Sequence, residues 1–410
     1  MNSEIQINGQ RLWDSIMAMA QIGPGEKGGS RRLALTDDDK EGRDLFISWC
    51  KEAGCTITID DMGNIFARRP GKNDDLAPVC SGSHLDTQPH GGKFDGIFGV
   101  LAALEVVRTL NDNNVETEAP IEVINWTNEE GSRFAPAMVS SGVFAGLFEK
   151  EFAYSRTDGD GYTLKAELER TGYLGDETCG DHPMRALFEA HIEQGPVLEN
   201  SGDQIGVVIG GQGQKWFDVR VKGQDSHAGS TPMNGRRDAL VASAVLIQAI
   251  QEIALKYAPY GVGTVGEMEV LPNSRNTIPG EIFLTVDIRN PDQDNLNLMG
   301  EDLNQIIETV REKHNVIIEC DEIWDKPPVK FNPECIAAVT AGANQLGYKY
   351  QEIVSGAGHD ACQVCEIVPT SMIFVPCEGG LSHNEEENAT PEDLEAGCNV
   401  LLRAMVAVAG

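Results

Sequence analysis

Three of the chain's eight histidines lie in segments that also carry carboxylates. These are Ser83-His84-Leu85-Asp86-Thr87, Ala190-His191-Ile192-Glu193-Gln194 and Ser382-His383-Asn384-Glu385. Imidazole and carboxylate donors without thiolates suit Zn²⁺, Mn²⁺, Co²⁺ or Ni²⁺. Asp86 follows His84 closely enough to orient its ring through the second nitrogen. Asp95 sits in Gly91-Gly92-Lys93-Phe94-Asp95-Gly96, directly ahead of an apolar helical pattern. It is either an N-cap, worth about 1 kcal/mol, or an ion ligand that its glycine neighbours let approach closely. Glu129 and Glu130 are adjacent in Trp126-Thr127-Asn128-Glu129-Glu130-Gly131. Side-by-side carboxylates repel, and a cation is the natural compensation. One can ligate while the other stays free as a base. Singly, each segment also fits a solvated loop or a satisfied histidine. Together they point to metal chemistry, and one shared aspartate would allow two metals about 3.5–4 Å apart.

A second polar group lies further on, in Gln224-Asp225-Ser226-His227, Asn273-Ser274-Arg275-Asn276-Thr277 and Asp287-Ile288-Arg289-Asn290. His227, Asn276 and Arg289 are expected at one end of a small sheet, unless they are simply exposed polar side chains. Arginine there would be a planar partner for a carboxylate.

The elements that must position these residues alternate between helix and strand patterns. Residues 10–20, 41–53 and 97–110 have helical apolar periodicity, with Leu45, Phe46, Trp49 and Cys50 on one face. Residues 55–68 read as a hairpin. Residues 78–81 and 121–126 read as buried strands of a mostly parallel sheet, each ending in a polar cluster. Ala190–Gln194 alternates like a strand, which puts His191 and Glu193 on one face. Residues 216–323 follow the order β-α-β-β-α-β of a ferredoxin-like unit. Helix (333–346), strand (371–375) and helix (391–408) then resume the first pattern. The expected organisation is an α/β domain at 1–213 and 329–410, interrupted by an inserted domain at 214–328. Loops at the carboxyl ends of sheet strands are where such folds place ligands.

At 410 residues with 64 acidic and 32 basic side chains, the formal net charge is −32. A surface that acidic repels nucleic acid and anionic lipid. No apolar run approaches the roughly 20 residues of a membrane span, and the first residues lack the pattern of a signal peptide. Ten cysteines at irregular spacing suggest reduced thiols and a cytoplasmic protein. Cys362 and Cys365 form a C-x-x-C with no second pair, one helical turn apart in an apolar-periodic stretch.

Taken as a set, GSHLDTQPHGGKFDGIFGVL, NEEGSRFAPAMVSSGVFAG, EAHIEQGPVLE and PNSRNTIPG resemble the di-zinc exopeptidase superfamily of aminoacylases and carboxypeptidases. More closely they resemble its hydantoinase/carbamoylase branch, and the resemblance spans nearly the whole chain. It implies a di-zinc exopeptidase-like α/β catalytic domain with an inserted ferredoxin-like dimerisation and lid domain, hence a homodimer. It implies two divalent metals, zinc first, with His84 and His383 on different ions and Asp95 bridging. His191 would complete one site and Glu130 the other. Glu129 would be the general base and Asp86 would hold His84. Gln194, Asn276 and Arg289 would grip a substrate carboxylate, with Gly358 in a substrate-contacting loop (355–360). His227 would stabilise the oxyanion, entering from the partner subunit. The implied reaction is hydrolysis of the ureido C–N bond of N-carbamoyl amino acids, N-carbamoyl-β-alanine included. Allantoate hydrolysis is the nearest alternative, and a di-zinc peptidase a more distant one.

Overall fold

The computed structural model describes residues 5–410. The chain forms two compact units, one from the stretch up to Gly210 together with Lys330–Gly410, the other from Gly211–Val329.

The larger unit is built on a nine-stranded sheet. At its centre Val79–His84 pairs in parallel with Ile121–Trp126 and with Ala186–Ile192, and the latter pairs in parallel with Thr370–Val375. The flanks are antiparallel: Ile65–Arg69 lies on Ile121–Trp126, and Ile205–Gly211 on Thr370–Val375. The sheet is therefore parallel only at its core, where sequence patterning predicts a mostly parallel one. The four central strands are buried along their whole length. Burial on both faces is what parallel strands require, and it explains their continuous apolar runs. Helix Ile97–Asp112 lies on Val79–His84 and Ala186–Ile192 and packs against helix Pro391–Ala409. Thr36 and Thr390 cap the N-termini of helices Asp37–Glu52 and Pro391–Ala409 through their hydroxyls. The hairpin predicted over 55–68 forms from Thr56–Ile59 and Ile65–Arg69.

Because the four central strands are parallel, their carboxyl ends share one edge. That edge receives His84, the Thr127–Glu130 turn, His191 and the segment leading from Val375 to His383.

The smaller unit is a four-stranded antiparallel sheet in the order Ile317–Lys326, Gly213–Lys222, Glu281–Asn290, Val262–Leu271. Helices Ala239–Lys256 and Gln293–His314 cover one face. Alternating burial along Gly213–Lys222 and Glu281–Asn290 leaves the other face more open. This is the ferredoxin-like order of elements. Helix Ala239–Lys256 is apolar enough to reach a mean hydropathy of 1.5 over 18 residues. Its inner side chains Ala242, Leu246 and Ile250 are buried, whereas Val241 and Leu255 are exposed.

The register corrects one expectation. His227 sits opposite Thr277, beyond the end where Lys222 faces Glu281. Arg289 faces Gln214, at the other end of the sheet. At roughly 3.3 Å per residue the two ends are about 26 Å apart. His227 follows the first strand and Arg289 ends the third, and adjacent antiparallel strands end at opposite edges. His227 and Asn276 are neighbours, but Arg289 does not join them within one chain.

Candidate metal centre

Of three triads of metal-type donors among the described residues, two share Asp95 at the carboxyl edge of the large sheet, and the third, Glu189–His191–His359, overlaps the first at His191. The first is His84, Asp95 and His191, all buried. The second is Asp95, Glu130 and the more exposed His383. Asp95 Oδ1 lies 3.1 Å from His191 Nε2 and 3.7 Å from His84 Nε2. His383 Nε2 lies 3.5 Å from both Asp95 Oδ2 and Glu130 Oε2. Ligands about 2.0–2.1 Å from a tetrahedral ion are about 3.3 Å from one another. These separations match that edge, so the residues fit one ion per triad, with one Asp95 oxygen facing each.

Main-chain contacts set the tautomers. His84 Nδ1 lies 2.8 Å from the Asp86 carbonyl and His191 Nδ1 2.9 Å from the Ile192 carbonyl. A carbonyl only accepts, so in the neutral rings Nδ1 carries the proton and Nε2 presents its lone pair to Asp95. The role expected of Asp86 is thereby corrected: its backbone oxygen, not its carboxylate, holds the His84 ring. The carboxylate instead accepts from the Glu129 amide at 3.3 Å and the Glu130 amide at 3.2 Å. It fixes the turn that carries the two glutamates. The chain turns after His84, so that the Asp86 side chain points to the glutamates while its own carbonyl faces the ring.

The electrostatics of the site without metal are those of crowded, desolvated acids. Burial, then the charges of Asp360, Glu130, Asp86 and Asp95, push the Glu129 carboxyl well above its ordinary range. Burial and Asp95 do the same to Glu130. Burial raises Asp86 to about 7. Burial lowers His84 to about 4, whereas in His191 the hydrogen bond and charge of Asp95 outweigh burial and raise it to about 9. Divalent cations relieve such crowding.

Each ligand has a support. Both oxygens of Glu130 accept from Gln88, at 3.0 Å from its amide and 2.6 Å from its side chain. Gly96 adopts φ +72°, and a Cβ there would fall 2.3 Å from the His84 ring. The site is also where the backbone is strained: Asn128, Met138, Gln194 and His383 all have positive φ. Glu129 is bound to neither triad by position, yet its Oε2 lies 3.5 Å from His84 Nε2.

The remaining predicted residues fall into three settings. Gln194 donates to Asp95 Oδ2 at 2.9 Å and to Ser382 Oγ at 3.1 Å, so its amide serves the shared aspartate. Glu193 does not share the His191 face; it accepts from the Val197 and Leu198 amides at the start of a short helix. Gly358 is exposed beside Met138, in the loop that places the His359 ring 4.5 Å from that of His191, tilted by 59°. In the smaller unit His227 is exposed, and its Nδ1 accepts from the Gly229 and Ser230 amides at 3.0 and 3.1 Å. Its proton therefore sits on Nε2, a free donor. Asn276 is exposed, its carbonyl accepting from the Ala228 amide. Arg289 pairs with Asp287, Nη2 to Oδ2 at 2.7 Å.

Sequence reasoning missed Gln88, Glu189, Ser382 and Glu387. Glu189 accepts from Ser83 and from the Ala361 amide inside a wholly buried strand. A charged residue within an apolar run was its signal. Glu387 stands in the acidic run 385–387, which reads as a solvated face.

A fold and donor set of this kind belong to the dinuclear metallohydrolase class. Residues 80–407 match peptidase family M20/M25/M40, and the chain belongs to that family, in its hydantoinase/carbamoylase branch. It is 50% identical to an N-carbamoyl-L-amino-acid amidohydrolase of Rhizobium meliloti, covering 98% of this chain and 97% of that one. It is 37% identical to an N-carbamoyl-L-amino acid amidohydrolase of Geobacillus stearothermophilus, over 96% and 97% of the two chains. A hydantoinase/carbamoylase family amidase from Burkholderia multivorans, of known crystal structure, matches at 55% identity and a TM-score of 0.97, covering 99% and 98%.

Proposed function

We propose that the protein hydrolyses the ureido C–N bond of N-carbamoyl amino acids, with two divalent metals, zinc foremost, in the triads that share Asp95. The observation that carries this reading is a buried carboxylate, Glu129, beside two triads that do not need it. A protein that only bound metal would gain nothing from that extra buried acid. The amidohydrolases it resembles supply the substrate class.

When bound, the two ions supply Lewis-acid polarisation of the ureido carbonyl and of the attacking water. Glu129 takes a proton from that water and passes it to the leaving nitrogen. The C–O bond forms first, giving a tetrahedral oxyanion, and the C–N bond to the amino acid then breaks as its nitrogen receives the proton. Free amino acid and carbamate leave, and the carbamate decays to ammonia and carbon dioxide. His227 Nε2 donates to the developing oxyanion, usually the largest single electrostatic contribution. Asn276 and Arg289 hold the substrate carboxylate, and Gln194, whose NH₂ is spent on Asp95 and Ser382, fixes the shared aspartate instead.

The spacing of His227 and Asn276 from Arg289 favours a site completed across a homodimer, with the first two supplied by the second subunit. The exposed Val262–Leu271 edge strand, the outer face of helix Ala239–Lys256 with Val241 and Leu255 exposed, and Tyr260 in the turn between them supply the pairing surface. The ten cysteines, irregularly spaced, favour a reducing cytoplasm.

The test is ammonia release by metal-reconstituted protein, with N-carbamoyl-β-alanine, several N-carbamoyl-L-amino acids and allantoate in parallel. Turnover of a carbamoyl amino acid, abolished by chelator, is expected. Preference for N-carbamoyl-β-alanine would assign it to pyrimidine degradation. Activity on allantoate alone would overturn the substrate assignment, and silence on all three classes would overturn the reaction.

A further inference from the structure

Glu387 stands behind the shared aspartate and belongs to neither triad. It is 1% exposed. Its Oε1 accepts from the Phe94 amide at 3.0 Å and the Asp95 amide at 3.1 Å. Its Oε2 lies 3.1 Å from Ser382 Oγ. That hydroxyl is also 2.9 Å from Asp95 Oδ2 and accepts from Gln194 Nε2. The chain makes room for the carboxylate, since a Cβ at Gly92 would fall 1.9 Å from Glu387 Oε1. One side chain thus ties the backbone of the shared ligand to the loop that carries His383.

The two triads depend on this tie unequally. His84 and His191 project from central sheet strands, Val79–His84 and Ala186–Ile192. His383 follows a single turn of 3-10 helix and has φ 53°, with no strand to hold it. We propose that Glu387 is a positioning residue for the second metal: it keeps Asp95 Oδ2 and His383 in register so that the Asp95–Glu130–His383 triad closes. The His84–Asp95–His191 triad forms without it. The assignment rests on the two-metal reading above.

The test is metal titration of full-length, metal-free protein with Co²⁺ and Zn²⁺ against a competing chromophoric chelator, with Co²⁺ absorption recorded at each site. Wild type is expected to take up two ions. Glu387→Ala should weaken the second by about 10–100-fold, the usual cost of losing a residue that orients ligands, and leave the first unchanged. Glu387→Gln should restore the second site. Its oxygen still caps the two amides, and its NH₂ donates to Ser382 Oγ, leaving the hydroxyl proton for Asp95. Equal weakening of both ions, no weakening, or a Gln variant no better than Ala would overturn the assignment. If Glu387→Ala does not fold, Ser382→Ala cuts the same tie while leaving the amides capped, and it should show the same selective loss. Two full-strength ions in Ser382→Ala would overturn the proposal. A wild type that binds a single ion would instead remove the two-metal reading itself.

Discussion

The two triads share an aspartate and little else. In the first, both histidines are 1% exposed and end or nearly end buried strands, with their Nδ1 atoms fixed by main-chain carbonyls. In the second, Glu130 hangs from a turn and is held by Gln88, and the His383 side chain is 53% exposed. The difference separates two requirements. A buried, preformed set gives tight binding, but empty it leaves desolvated charges facing one another. The second set keeps desolvated carboxylates at Asp95 and Glu130, but its exposed His383 admits ligands from solvent.

Glu129 belongs to neither triad, though it lies 3.5 Å from His84, and it tests the comparison most severely. Glu129→Gln should lower kcat by about 10²–10⁴-fold, the usual contribution of a general base, while metal analysis still finds two ions per chain. Loss of an ion would make Glu129 a ligand. Next come the histidines. His84→Ala leaves the buried Asp86 carbonyl without its ring donor, a cost of about 1–3 kcal/mol to the metal-free protein. His383→Ala should stay within about 0.5 kcal/mol in denaturant unfolding, as exposed positions do. Equal costs would erase the distinction.

Chelator should release metal in two phases, with the ion of the open triad leaving first and His383→Ala lacking the fast phase. A single phase in wild type would mean that the two sites empty together. The smallest effect is a control outside both triads. His182 lies 2.7 Å from Glu122 and 3.2 Å from Glu177, and it stacks on Phe66 at 4.1 Å. Burial opposes its charge, but the two carboxylates prevail and raise its pKa above 6.5. A raised folded-state pKa stabilises fully below the unfolded value and loses that contribution as pH climbs through the folded one. His182→Gln should therefore cost more stability near about pH 5.5 than near about pH 9. A cost independent of pH would mean that the ring contributes only its packing.

The metal-type residues were legible because their chemistry is rare at strand ends. A histidine or paired glutamates directly after an apolar run has few bland explanations. The fold was legible for a related reason, since runs such as Ile121–Trp126 are buried throughout and advertise it. What stayed hidden depends on geometry that spacing does not encode. The antiparallel flanks follow from pairing partners distant in sequence, as Ile205–Gly211 and Thr370–Val375 are. The separation of Arg289 from His227 follows from strand direction. Asp86 was credited with the contact its own carbonyl makes. Glu387 looked like part of a solvated acidic run, in which only Glu386 is in fact exposed, because nothing local distinguishes a glutamate facing inward.

Strand Thr370–Val375 lies between Ala186–Ile192 and Ile205–Gly211 in the finished sheet. A ribosome makes both neighbours long before the strand that separates them. At about 5–20 residues per second the interval is roughly ten to thirty seconds. For that time Ala186–Ile192 has a bare edge, of the kind that invites pairing with the wrong chain. His84, Asp95 and His191 have by then been synthesised, and His383 has not. Synthesis therefore separates the two sets: every donor of the first is in the chain before the sheet can be completed, whereas the second cannot assemble until after the last strand has closed the gap.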